Sequence, residues 1–368
     1  MKVASFQITQ RMRTAVQMGV APAIALGVTS SQGQPQTWYE GRLRHDPDSE
    51  ACDENTIFDL ASLTKPLTTT MAALTKIADG TLDWETEIGS ILPVASDRLA
   101  RCPVWRLMNH TAGLPAHRRY YEGLGKASLH QKSYADARAM VHRMVLNTAL
   151  ECAPGSREIY SDLSYLALSQ CLRSAGFDLQ TQWSSLPLHS DDQLHFRALE
   201  TPLSSGTYAA TEHCPWRGRE LVGEVHDDNC WTIGGIGGHA GLFGTLDTVL
   251  EFGRMWLKTL RGQSTDCPIP GEIMRRSVSW RWMHARGTRV LGWDSPTPGR
   301  SSAGRHLSRS AIGHLGYTGT SIWIDPVHDC VIVLLTNRVC PDRSDIRIRQ
   351  LRPKLHNLTF EWFKQCMR

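Results

Sequence analysis

The chain has 368 residues, more than the roughly 250–300 at which one hydrophobic core stops growing, so two intimately packed lobes with a cleft between them are expected. With 41% hydrophobic and 21% charged residues it reads as globular, and no run approaches the ~20 consecutive apolar residues of a membrane-spanning helix. Its 40 basic and 36 acidic side chains leave a charge of +4, with Arg spread along the chain rather than massed, which argues against a nucleic-acid partner.

The N-terminus, Met1 to Gln10, leads to Arg11 and Arg13 with no continuous apolar core or cleavage site, so a cytoplasmic location is expected, with no membrane association. Ile8, Met12, Ala15, Val16 and Val20 recur at helical spacing. Ala21 to Ser30 then reads as an apolar strand, and Gln36 to Leu43 as a second strand after the turn formers Ser31 to Pro35. The middle of the chain is helical: Leu67 to Ala78, Ser133 to Leu146, Leu163 to Ala175 and Leu246 to Leu260 carry the period. Residues 180–230, rich in Ser, His, Asp and Pro, read as extended loops. Near the C-terminus Tyr317 to Ile324 is a strand, 325–329 a turn and Cys330 to Leu335 a buried strand. An amphipathic segment from Ile346 to Phe363 follows, with a break expected at Pro353. The simplest arrangement is a discontinuous α/β lobe of residues 1–80 and 285–368, with a mainly helical lobe of 81–284 inserted. The ten cysteines form no C-x-x-C pair and read as free, mostly buried thiols.

Within this frame Ser62-Leu63-Thr64-Lys65 stands just ahead of a helix whose apolar residues Leu63, Leu67, Met71 and Leu74 share one face, with Gly80 as C-cap. Ser62 and Lys65 should lie one turn apart on the same side. A serine hydroxyl is a poor nucleophile until a base takes its proton, and a lysine at this spacing reaches it. To act as that base the lysine needs its pKa lowered by burial and nearby positive charge. A helix N-terminus also offers N–H groups to a developing oxyanion. Alone, the S-x-x-K pattern is more often a capping serine beside a solvated lysine.

Further segments follow in order. Ile159-Tyr160-Ser161-Asp162 lies between the turn former Pro154-Gly155-Ser156 and a helix start, so Tyr160 and Asp162 should point together. The bland reading of Tyr160 is a half-buried aromatic. Gly313-His314-Leu315-Gly316-Tyr317-Thr318-Gly319 leads into a strand, and two more segments, Leu107 to Pro115 and Gly237 to Thr245, flank them.

Taken together these segments resemble the class C β-lactamase and penicillin-recognising enzyme family over about Phe58 to Asn337. The resemblance implies an α/β fold of β-lactamase/transpeptidase type: an antiparallel sheet flanked by helices, a mainly helical lobe, and the active site in the cleft between. It implies a serine hydrolase that forms an acyl-enzyme at Ser62, with Lys65 and Tyr160 transferring protons and the N–H groups of Ser62 and Tyr317 forming the oxyanion hole. Tyr160-Ser161-Asp162 is similar to the Tyr-x-Asn element of class C enzymes, with Asp in place of Asn. That change keeps an acceptor for Lys65 and removes an amide donor. His314-Leu315-Gly316 stands where the family has Lys-Thr-Gly. A neutral histidine, with an ordinary pKa of about 6.5, replaces a permanent anchor for substrate carboxylates. Gly316 would let the strand edge approach the acyl group. Asp162, His314, Gly316 and His117 are the expected substrate contacts.

The expected substrate is a small ester, amide or peptide, including D-amino-acid peptides, with no cofactor and no metal. The competing reading is a catalytically silent relative that binds a ligand or partner in the same cleft. Other patterns fail: Gly234 to Ala240 lacks the preceding strand of a dinucleotide site, and His213, Cys214 and His226 lack zinc-site spacing. No G-x-S-x-G elbow is present. The oligomeric state is unreadable.

Overall fold

The computed structural model describes residues 2–124, 133–186, 193–202 and 207–367. Helix α1 (Lys2–Gln17) leads into strands β1 (Ala23–Thr29) and β2 (Gln36–Gly41). These join the C-terminal strands β6 (Ile312–Leu315), β7 (Ser321–Asp325) and β8 (Cys330–Thr336) in one antiparallel sheet of order β2-β1-β8-β7-β6. A smaller sheet pairs β3 (Phe58–Asp59) and β4 (Leu194–Phe196) on either side of β5 (Leu242–Gly244).

β1 and β8 are buried along their whole length, which explains why they are continuous apolar runs rather than alternating ones. Alternate side chains go to opposite faces. Ile24, Leu26, Ile332 and Leu334 meet Ile8 and Met12 of α1 and Leu355 and Phe360 of the C-terminal helix α6 (Ile348–Cys366). Ala25, Val331 and Val333 face Leu246 and Leu250 of α5 (Leu246–Leu260). This second layer continues without interruption into α2 (Thr70–Ala78), α3 (Tyr134–Leu146) and α4 (Asp162–Ser174), so sheet and helices share one core. The ten cysteines are all free and largely buried. Among the described residues no helix is long and apolar enough to cross a membrane.

Four expectations need correction. α5, assigned to the inserted helical lobe, packs on the sheet, because Leu246 and Leu250 sit over Gly27 of β1, where a Cβ would come within 2.6 Å of Leu250 Cδ1. The expected strand from Tyr317 to Ile324 begins only at Ser321. Residues 316–320 form the β6–β7 turn instead, in which Gly319 takes a positive φ of 100° and passes so close to Thr336 that a Cβ would lie 2.0 Å from its Oγ1. The helix expected from Leu67 starts earlier, with Ala61–Leu63 as a 3₁₀ turn and Lys65–Thr69 as one π-helical turn. Pro353 does not break α6: it sits less than two turns from the helix start, and Ile348, Leu351, Leu355, Phe360 and Phe363 hold both sides of it to the core. That burial outweighs the roughly 3 kcal/mol an interior proline costs. The stretch 180–230, expected as loops, lies partly outside the described residues; the rest includes β4, a short hairpin (His213–Cys214, Arg219–Glu220) and the helical turn Asp228–Thr232.

Leu250 is fully buried at the contact of α5 with β1. Leu250→Ala is expected to lower the unfolding free energy by about 3 kcal/mol in denaturant titration; a loss below about 1 kcal/mol would mean that α5 rests only loosely on the sheet.

Candidate active site

Ser62 lies in the 3₁₀ turn between β3 and the π-helical turn, and the residue before it, Ala61, carries a positive φ of 48°. For a residue with a Cβ this conformation persists only where neighbours over-determine it. Here the buried Asp59 carboxylate does so, accepting the Ala61 N–H at 2.8 Å and the His226 N–H at 2.7 Å. Thr64 Oγ1 closes the turn by donating to Ala61 O at 2.6 Å.

Lys65 follows on the same face, as the spacing predicted, and its Nζ lies 2.9 Å from Ser62 Oγ. Its side chain is fully buried. The other two ammonium protons go to Asp162 Oδ1 at 2.8 Å and to the His239 carbonyl at 3.0 Å. Burial alone would pull this lysine's pKa down, but Asp162 and Tyr160 outweigh it and hold the pKa above the ordinary lysine value. The lowered pKa that Lys65 would need in order to act as base is thus opposed by the residue replacing Asn in the tyrosine motif, an ionised carboxylate in contact with the ammonium. Burial pushes Asp162 up, but Lys65 and then His117 push it further down, well below the usual carboxylate range. His117, half exposed, reaches Asp162 Oδ2 from Nδ1 at 3.4 Å.

Asp162 is placed by the start of α4, where Ser161 caps the helix by accepting the Ser164 N–H. Ser161 in turn donates its own N–H to His110 Nδ1 at 3.0 Å. Tyr160, just before the cap, packs its ring against His110, with centroids 4.5 Å apart, and against His314, at 5.9 Å. Two cations flank the same ring: Lys65 Nζ and Arg289 Cζ each lie 5.1 Å from its centroid. Arg289 is held by Glu158 and Asp294.

His314 is buried on β6 and its Nδ1 lies 2.9 Å from Leu315 O. A carbonyl only accepts, so Nδ1 carries the proton and Nε2 keeps its lone pair. Burial, then Lys65 and Arg289, push the His314 pKa down to about 3, so the ring is neutral in ordinary buffers.

The β6–β7 turn is fastened to the nucleophile segment. Thr318 Oγ1 donates to Asp59 O at 2.8 Å and Thr320 Oγ1 to Leu60 O at 3.1 Å. Gly316 is required here, since a Cβ would lie 2.7 Å from Leu60 O and 1.9 Å from Thr320 Oγ1. The close approach is thus to the backbone ahead of Ser62. It sets Tyr317 beside Ser62, and both residues line two cavities. One, of about 340 Å³, has Arg289, His314, Arg338, Arg349 and Arg352 in its wall. The other, of about 390 Å³, has His117, Asp162, Asp227 and His239. Seven of the eight site residues named from the sequence thus line these two cavities, and the eighth, Lys65, is buried behind Ser62.

Sequence reasoning missed several neighbours. His110 stood inside a quoted motif and could have been found there; Asp59 and Arg289 carry no motif, and only the fold brings them in. Of the metal-ligand side chains among the described residues, His117, Asp162 and Asp227 gather with donor atoms within 4.8 Å of one another. Asp162 already holds Lys65, and Asp227 holds His239 at 2.9 Å. His213, Cys214 and His226 form no such group.

The Beta-lactamase family model matches residues 8–355. The chain belongs to the Beta-lactamase family. It is a serine hydrolase of that family, with the β-lactamase/transpeptidase-like fold. Among curated relatives, a Salmonella agona protein provisionally named D-alanyl-D-alanine carboxypeptidase is 28% identical over 309 residues, covering 77% of this chain and 70% of the relative. Among solved structures, EstCE1, a hydrolase with promiscuous acyltransferase activity, superposes with a TM-score of 0.69 at 18% identity, over 96% of this chain and 99% of that one. A penicillin-binding protein homologue from Pyrococcus abyssi, described as octameric, reaches 0.69 at 15% identity, covering 95% and 77%. Simvastatin synthase from Aspergillus terreus reaches 0.67 at 17%, covering 98% and 99%. These three likenesses bear on the fold alone.

The neutral His314 has a consequence for stability. In the unfolded chain it titrates near 6.5, in the folded protein near 3, so its contribution is complete above about pH 6.5 and is lost as pH falls toward 3. Between pH 7 and pH 5 this removes about 2 kcal/mol. Denaturant unfolding at the two pH values should show His314→Gln losing less stability than the wild type by about that amount; equal losses would mean that His314 is protonated in the fold.

Proposed function

We propose that the chain hydrolyses an ester or amide, D-amino-acid peptides among them, through an acyl-enzyme on Ser62. The observation that carries this reading is the Lys65 ammonium 2.9 Å from Ser62 Oγ, with its remaining protons committed to Asp162 and His239 O. An ammonium so held donates to Oγ and leaves the serine proton free to go elsewhere. Tyr160 is its acceptor, acting as the phenolate. Lys65 and Arg289, on either side of the ring, offset the negative charge it carries before the proton arrives and again after it is passed on.

Ser62 Oγ attacks the carbonyl carbon while its proton passes to the Tyr160 oxygen. The C=O π pair moves to oxygen, where the N–H groups of Ser62 and Tyr317 receive it. As the bond to the leaving group breaks, the phenol proton goes to the departing oxygen or nitrogen. Water then attacks the ester along the reverse route, giving the acid and free Ser62. Lys65 keeps its charge throughout. Asp162 positions Lys65 rather than contacting substrate, and His314, neutral with Nε2 as acceptor, orients the phenol side of the cleft. The name of the carboxypeptidase relatives agrees with an acyl-transfer chemistry of this kind.

Intact-protein mass after treatment with a fluorophosphonate tests the assignment. One adduct is expected on the wild type and none on Ser62→Ala, with labelling of Tyr160→Phe slowed at least ~100-fold. Undiminished labelling of Ser62→Ala would refute the nucleophile. Folded wild-type protein that takes no adduct from this reagent or from small acyl esters would favour the silent, ligand-binding alternative.

A further inference from the structure

The cavity that opens on Ser62 from the Tyr160–His314 side carries more positive charge than hydrolysis requires. Arg352, on the first turns of α6, is only 5% exposed; its Nη2 donates to Thr320 O at 3.3 Å and its Nε has no partner. Arg338, also buried, spends its hydrogen bonds on carbonyls, those of Tyr317, Arg343 and Asp345. Arg349 is exposed at the rim. Among the described residues no carboxylate lies within ion-pair distance of any of the three. Burial, then repulsion from Arg338 and Arg349, pull the Arg352 pKa down to about 10, the mark of like charges held together without a counter-ion. Leaving a buried guanidinium unpaired is costly, and an arrangement of this kind persists where an anion completes it.

The same wall continues into a second cavity of about 890 Å³ that shares Leu315, Arg349 and Arg352 with the first. Arg300, Arg305 and Arg309 line its far end, and its lining contains no acidic side chain. Arg305 has a partner in Glu361, at 3.3 Å; Arg300 and Arg309 are exposed, with no ion pair among the described residues. Asp294, paired with Arg289, is the one acidic side chain in the lining of the first cavity, so the two cavities form one mainly cationic path that begins at Ser62 and runs along α6.

We propose that this path binds an oligo-anionic substrate: one acidic group seats against Arg338, Arg349 and Arg352 beside Ser62, and at least one more, further along the molecule, lies against Arg300 and Arg309. The proposal rests on the acyl-transfer reading for its placement beside the reacting bond, but anion binding does not need turnover. It also reverses the expectation that losing the family's lysine at position 314 weakens carboxylate recognition: the anchor is moved from the strand to the helix behind it. Carboxylates and phosphates share the required chemistry.

The test measures citrate, pyrophosphate and acetate binding to the intact protein by calorimetry at matched ionic strength. In parallel, the same anions are used to slow fluorophosphonate labelling. Citrate or pyrophosphate is expected to bind at least 10-fold more tightly than acetate, and whichever is tighter identifies carboxylate or phosphate as the preferred group. Arg349→Ala and the double variant Arg300→Ala/Arg309→Ala should each weaken that oligo-anion at least 5-fold; the first should weaken acetate as well, while the second should leave acetate unchanged, since only the first touches the proximal site. Equal binding of all three anions, or full retention of affinity in both variants, would overturn the proposal. Absence of labelling together with tight oligo-anion binding would refute the nucleophile and leave the anion path standing; labelling with no anion binding would do the reverse.

Discussion

A fully buried ammonium organises this cleft. Lys65 cannot be removed from water without three acceptors, and those it finds come from the adjacent turn and from two distant parts of the chain, the start of α4 and the loop before β5. Satisfying that charge forces Ser62, Asp162 and His239 to within hydrogen-bond distance of one nitrogen. The partnership also sets the electrostatics. With Asp162 ionised beside it, Lys65 stays charged, so the pair is stable from below the ordinary carboxylate range up through the ordinary lysine range. A lysine so fixed is a permanent donor to Ser62 Oγ.

The second constraint is mechanical. Ser62 follows a residue in the left-handed region, which has to be held from outside, and the holders are side chains that also position the backbone of Ser62 and Tyr317. Asp59 fixes Ala61, while Thr318 and Thr320 fasten the β6–β7 turn to the carbonyls of Asp59 and Leu60. Gly316 permits the contact because any Cβ there would strike Leu60 O. Ser62 and Tyr317 are thereby referenced to the same backbone segment. Arg338 reinforces this from behind, donating to Tyr317 O with its guanidinium 4.6 Å from the ring centroid. A shift of the sheet edge would thus move both N–H groups together.

Much of this was legible in residues close together in the chain. The helical periods of α1, α3, α4 and α5, the apolar runs of β1 and β8, and the Ser62–Lys65 spacing are local facts, and local patterns record them. What escaped depends on distant parts of the chain. Pro353 reads as a break until the sheet beneath α6 is seen to hold both halves of the helix. Tyr317 to Thr320 reads as strand until the turn is seen anchored to Leu60. The charge of Lys65 reads as adjustable until Asp162 is found on it, although the Asp in place of Asn was the visible clue. Arg289 and the α6 arginines had no signal at all, since guanidiniums scattered along the chain form a cluster only once β6 and α6 line the same cavity.

The distribution of cations around Tyr160 gives a reason for the histidine at 314. The phenol is already flanked by Lys65 and Arg289, each 5.1 Å from its ring centroid, and both act on His314 to keep it uncharged. A lysine at that buried position would be a third charge in the same space, with Asp162 already committed to Lys65 and Glu158 to Arg289. It would have to lose its proton or displace one of the others. A neutral ring with one lone pair avoids that conflict and leaves room for polar contact. Binding charge is then placed where solvent and substrate can answer it, on the arginines of α6. The cleft thus separates two tasks that a single lysine would combine: stabilising charge at the reacting atoms, and holding charge on the substrate.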